Sequence, residues 1–187
     1  MATPSPQPIT VDAYDRMIED GLLTADDRVE LIEGAIVEMS PIGVPHATCV
    51  NNLTRFFARR APDDVIVGVQ NPARVSELSQ PQPDLLLFRA AAGCNPKHHP
   101  HPEETLLLVA VSDSTLVFDR EVKAPLYAAA GVPELWIVDV EGERVVRFSR
   151  PAGRAWGSQE VFARGQSLAP FALPELVVAV DAILPEI

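Results

Sequence analysis

Two short, unbroken apolar runs constrain this chain more than any other feature: Asp84-Leu85-Leu86-Leu87-Phe88 and Thr105-Leu106-Leu107-Leu108-Val109-Ala110-Val111. A strand with one wet face alternates apolar and polar residues, whereas a strand without alternation has both faces buried and needs cover on each. Helical patterns elsewhere in the chain provide that cover. The fold class that follows is α/β, a mixed central sheet flanked by helices.

The remaining segments fit this plan. Thr10 caps a predicted helix over about residues 11–20, in which Val11, Tyr14, Met17 and Ile18 share a face, and Gly21 ends it. Residues 29–32 and 35–39 read as a hairpin turning at Gly34, a residue free to adopt positive φ. From His46 to Arg60, the residues Ala47, Val50, Leu53, Phe56 and Phe57 form one apolar stripe. A strand follows at 65–69. Residues 90–104 read as a surface loop, and 119–130 as a helix with Val122, Leu126, Tyr127 and Ala130 on one side, ended by Gly131. Strands are expected at 134–140 and 144–148, with a shorter one near 159–162, and the Leu- and Pro-rich segment 168–187 closes the core. A flexible tail over 1–9 and a single domain over 10–187 are the expected organisation, since no repeat or linker interrupts the 187 residues.

Composition narrows function. With 26 acidic and 15 basic residues the formal net charge is −11, which opposes broad attraction to a polyanion. A local basic cleft built from Arg55, Arg59, Arg60 and Arg74 stays compatible with that balance. No apolar run is long enough to span a bilayer, and the first residues lack a signal-like pattern, so no membrane association and a cytoplasmic location are expected. Cys49 and Cys94 have no metal-site spacing and read as free thiols. Nucleotide-loop, dinucleotide-fold and common zinc motifs are absent.

Polar residues at the ends of buried strands require a partner or a ligand. Asp84 begins one such strand; Ser112 and Asp113 end the other. A divalent cation held by oxygen ligands would use Asp84 and could activate water for phosphodiester hydrolysis. A Pro83-Asp84 turn or backbone cap explains the same residue without chemistry. Asp119 and Lys123, four apart on a predicted helix, suit either phosphate contact or an ordinary solvent-exposed ion pair. Glu30 fits a carboxylate-rich cleft or a plain polar strand position. His46 is a candidate imidazole or merely a polar residue at a helix start. His98, His99 and His101 lack a second ligand cluster and read as an exposed loop.

The ordered set Arg28-Val29-Glu30-Leu31-Ile32-Glu33-Gly34, Ser40-Pro41, His46, Pro83-Asp84, Val111-Ser112-Asp113-Ser114-Thr115-Leu116, Asp119-Arg120, Lys123, Tyr127-Ala128, Gly131-Val132 and Trp136-Ile137-Val138-Asp139 resembles the Uma-two family of restriction-endonuclease-like proteins. That family lies within the PD-(D/E)XK nuclease-like superfamily. The resemblance spans about residues 10–180 and implies a restriction-endonuclease-like sheet, a DNA substrate and Mg2+ or Mn2+ as cofactor. It also implies that Asp84 is the metal ligand and Lys123 the catalytic lysine, migrated onto the helix after the third core strand. Glu30 becomes an accessory acid, with His46 and Asp119 beside the same cleft. In the mechanism so implied, the cation binds the scissile phosphate while Lys123 positions or activates water.

Ala110 departs from this pattern. The resemblance places an acidic residue immediately before the Val-Ser-Asp-Ser-Thr segment, and this chain has a methyl group there. Losing a ligating carboxylate lowers metal affinity, so an impaired DNA endonuclease is expected. An engineered change, natural degeneration or recruitment of another acid would each account for it. A non-catalytic homo-oligomeric module, most simply a homodimer, that binds nucleic acid or a protein is the alternative.

Overall fold

The computed structural model describes residues 7–24, 26–89 and 99–186. Its first helix, α1 (Val11–Glu19), is capped by the Thr10 side chain, which accepts from the Ala13 amide. The hairpin β1 (Val29–Ile32) and β2 (Ala35–Glu38) follows, pairing Ile32 with Ala35. Its turn residues Glu33 and Gly34 have φ of 49° and 80°, the mirror-image turn whose twist suits a tight hairpin. Gly34 is needed twice over, because a Cβ there would lie 2.4 Å from Pro8 Cβ. Ile9 donates to the Gly34 carbonyl at 2.9 Å, which docks the start of the described chain on the hairpin.

Helix α2 (Val44–Ala58) begins two residues before the predicted His46, because Pro45 suits a first helical turn where its missing amide proton costs nothing. The main sheet then assembles from β3 (Val65–Val69), β4 (Leu85–Arg89), β5 (Thr105–Ser112), β6 (Glu134–Asp139), β7 (Arg144–Ala152) and β8 (Ala155–Ala163). Among the described residues it has six strands, in the order β3-β4-β5-β6-β7-β8. Only the β5–β6 pair is parallel; every other neighbour is antiparallel.

Both faces of the central strands are covered, as their lack of alternation requires. Leu85, Leu87, Leu107, Val109 and Val111 pack with Trp136 against α2 residues Leu53 and Phe57 and against the C-terminal segment. That segment carries β9 (Ser167–Leu168), β10 (Val178–Ala179) and α5 (Val180–Ile183), and buries Leu173, Leu176 and Ile183. Leu86, Phe88, Leu108, Leu135 and Ile137 point the other way and meet Ala124 and Tyr127.

Tyr127 belongs to the helical crossover between β5 and β6, where the structure corrects the sequence expectation. Helix starts at Leu116, not Asp119: α3 (Leu116–Phe118) leads into a π-helical turn, Asp119–Lys123, and then α4 (Ala124–Ala129). Pro125 has no amide proton and its ring crowds the carbonyl four residues earlier, so a wider turn relieves the conflict. The end conforms to expectation: Gly131 has φ 79°, and Val132 donates back to the Tyr127 carbonyl. A second correction concerns β7 and β8, which run to a tight turn at Gly153 and are far longer than the expected 144–148 and 159–162. Small and polar residues such as Gly157, Ser158 and Gln159 hid the start of β8, which is held by backbone pairing. Most of the expected 90–104 loop, His98 and Cys94 lie outside the described residues.

Gly34→Ala should lower stability by more than the roughly 1–2 kcal/mol expected of a Cβ in left-handed backbone alone. Gly165→Ala, at φ 79° with nothing within 4 Å of the added carbon, isolates that conformational cost. Denaturant unfolding of both variants checks the difference; equal losses would remove the role assigned to the Pro8 contact.

Candidate active site

The alternation that builds the two cores also decides which polar groups meet. Leu85 pairs with Val109, so the next step along both strands brings Asp84 alongside Ala110, on the face that carries the helical crossover. The Val111 amide donates to Asp84 Oδ2 at 2.7 Å. Asp84, Ala110, Glu30, His46, Asp119 and Lys123 all line one cavity of about 490 Å³. Sequence reasoning proposed those six positions, and the fold brings them together.

Their pairing differs from expectation in instructive ways. Lys123 and Asp119 are not a solvent-exposed pair: their side chains are 11% and 6% exposed, and Nζ lies 4.0 Å from Asp119 Oδ1. The closer partner of Lys123 is Glu30, with Nζ 2.8 Å from Oε1. Glu30 Oε2 accepts from the Gln82 amide at 3.0 Å, so each oxygen of this buried carboxylate has a partner and Glu30 is more than a polar strand position. Asp119 Oδ2 accepts from Ser112 Oγ at 2.7 Å and from Thr115 Oγ1 at 2.6 Å, tying the π turn to the end of β5. His46 sits in the first turn of α2 and places Nε2 3.0 Å from Asp84 Oδ1. That hydrogen bond raises the His46 pKa; burial opposes it, and the charges of Asp84, Asp113 and Asp119 add to it.

Several cavity residues were given no role by the sequence. Gln82 donates its backbone amide to Glu30, and its side chain donates to the Gln70 carbonyl. Tyr127 lies one helical turn after Lys123, a spacing that could have flagged it. The basic cleft does not form. Arg55 points out from α2 toward Asn52, Arg60 stacks on Phe56, Arg74 pairs with Asp12 and Glu77, and none of them lines the cavity. The arginine that lines the cavity is Arg28, and Glu38, Asp113 and Glu121 line it as well. Cys49 is a free thiol on the buried face of α2, where desolvation first and Asp113 second push it up to about 11. No helix among the described residues is long and apolar enough to cross a membrane.

A family model described as "Uma2: Putative restriction endonuclease" matches residues 11–181. The chain belongs to the Uma2 family. The fold is shared with a crystal structure from Anabaena variabilis, titled as that of a "putative nuclease belonging to DUF820". The two are 16% identical, align over 94% of this chain and 97% of that one, and superpose with a TM-score of 0.70. No curated protein matches the sequence significantly. Membership places this Uma2 domain in the PD-(D/E)XK-like nuclease superfamily.

Divalent cations in such sites take several oxygen ligands at once. In this Uma2 domain the residues present do not fit one. Both Asp84 oxygens accept from His46 and Val111, both Glu30 oxygens face Lys123 and Gln82, and residue 110 offers only a methyl group. Among the described residues no group of three or more His, Cys, Asp or Glu side chains is arranged to hold a metal ion.

The His46–Asp84 contact sets a pH dependence. Because folding raises the His46 pKa, the stabilisation is full below the ordinary imidazole value and disappears as pH rises through the raised one. His46→Ala should therefore cost about 1–3 kcal/mol near pH 5 and clearly less near pH 8. Denaturant unfolding at the two pH values measures this, and a pH-independent loss would contradict the charged pairing.

Proposed function

We propose that this Uma2 domain is a divalent-metal-dependent DNA endonuclease whose centre is impaired by the alanine at position 110. The observation that carries the reading is the Ala110 methyl beside Asp84, in the cavity that Lys123 enters from the crossover helix. An acid at that point would add ligand oxygens beside Asp84, on the side of the sheet where an ammonium group is already held. With an acid restored at position 110, Asp84 would be the second metal ligand, Lys123 the group that contacts the phosphate and attacking water, and Glu30 the carboxylate that holds Lys123 in place. Asp119 fixes the π turn that carries Lys123, and His46 orients Asp84. Mg2+ or Mn2+ is the cofactor such a centre takes, and the domain spans residues 10–187 and acts in the cytoplasm.

The charge balance agrees with weak activity. A net charge of −11 provides no long-range steering of DNA, and the cavity carries more carboxylates than cations. A second reading, a non-catalytic homodimeric binding module, is favoured by one observation: β8 is nine residues long, and its outer edge has no strand partner among the described residues.

Ala110→Glu, assayed on DNA with Mg2+ and with Mn2+, separates the two. The unaltered chain should cleave at background rate, Ala110→Glu should raise the rate on the order of 100-fold, and adding Asp84→Ala should abolish the gain. Strong cleavage by the unaltered chain would overturn the impaired-centre reading. Equal inactivity of both proteins on DNA and RNA would favour the binding module.

A further inference from the structure

Tyr127 is completely buried, and its hydroxyl has no hydrogen-bond partner among the described residues although Tyr127 borders the cavity. Buried tyrosine hydroxyls are nearly always satisfied, and each exception calls for an explanation. Three features define what this one is built to meet. Its ring packs on the sheet face of Leu108 and Ile137, the face on which Ala110 follows Leu108 two residues along β5. Its backbone carbonyl accepts from Val132 in the Gly131 cap, and it lies one turn beyond Lys123, so ring and ammonium approach from the same side. Burial first, then the charges of Glu30, Asp119 and Asp84, hold its pKa well above the usual phenol value, so the group keeps its proton and acts as a donor. The nearby carboxylates are bonded elsewhere: Asp84 to His46 and Val111, Glu30 to Lys123 and Gln82, Asp119 to Ser112 and Thr115 through one oxygen.

We infer that Tyr127 is a positioning residue for position 110: its hydroxyl donates to a carboxylate carried there, and alanine has left that donor without its acceptor. The inference rests on the proposed reading of Ala110 as a missing acid, and it adds the group that would aim that acid beside Asp84. Oriented ligand carboxylates usually depend on such outer hydrogen bonds.

A double-mutant cycle followed by denaturant unfolding in EDTA tests it without activity or metal. Tyr127→Phe should leave the unfolding equilibrium constant of the unaltered chain within about threefold, since it removes only an unpaired hydroxyl. In the Ala110→Glu background the same change should lower the constant about tenfold more. Ala110→Gln, which supplies a neutral acceptor, repeats the cycle should the glutamate variant fail to fold. The chain has two tyrosines, so in a Tyr14→Phe background a 13C-labelled phenol carbon reports Tyr127 alone, and its resonance should shift when Glu or Gln replaces Ala110. Additive effects with an unmoved resonance would overturn the inference. Cleavage restored by Ala110→Glu without coupling would sink Tyr127 and spare the nuclease reading; coupling without restored cleavage would do the reverse.

Discussion

Side-chain alternation across the β4–β5 seam governs where every polar group of the cavity can be. Both strands are buried on both faces, so a one-residue slip would exchange the two cores and expose neither to a suitable partner. The register that fills the α2 side with Leu85, Leu87, Leu107 and Val109 commits Asp84 and Ala110 to the crossover side. Since the crossover joins the parallel pair β5 and β6, its first turns must leave from the end of β5, beside that same point. The site is therefore a consequence of packing: the register of the two apolar runs fixes where Asp84 and position 110 meet.

Within that frame the polar groups form a chain of compensations. A mostly buried lysine is costly unless paired, and Lys123 meets Glu30 at 2.8 Å while Glu30 takes a backbone amide on its other oxygen. Asp119 anchors the π turn through two hydroxyls, so the ammonium is delivered by a rigid element. Asp84 is tied to α2 through His46 and to β5 through Val111. The hairpin thus contributes Glu30, α2 His46, the start of β4 Asp84, and the crossover both Asp119 and Lys123. Outside these pairings stand the Ala110 methyl and the Tyr127 phenol, which has no hydrogen-bond partner among the described residues.

Much of this was legible in the sequence because hydrophobic period and turn chemistry agreed. The non-alternating runs at 84–88 and 105–111 gave central strands, Thr10 and Gly131 marked helix ends, and Glu33-Gly34 marked the hairpin. The six proposed site positions converge on one cavity. What stayed hidden depended on tertiary partners. The Lys123–Glu30 pair joins segments far apart in the chain, so the local i,i+4 rule pointed to Asp119 instead. The π turn arises from Pro125 within an otherwise regular helical pattern, and the length of β8 comes from pairing with β7, which Gly157 and Ser158 do not advertise. Arg55 appeared available for a phosphate cleft, but helical rotation turns it to solvent, away from the stripe carrying Leu53 and Phe57.

The central claim, taken from the proposed function, is that a carboxylate at position 110 would complete beside Asp84 a cation site that the residues now present do not form. A crystal structure of the Ala110→Glu variant grown with Mn2+ examines it directly through the anomalous signal. The expected result is a single peak between Asp84 and the introduced carboxylate, with no peak in the unaltered chain under the same conditions. A peak of equal height in the unaltered chain, or one in the variant lying away from Asp84, would contradict the account.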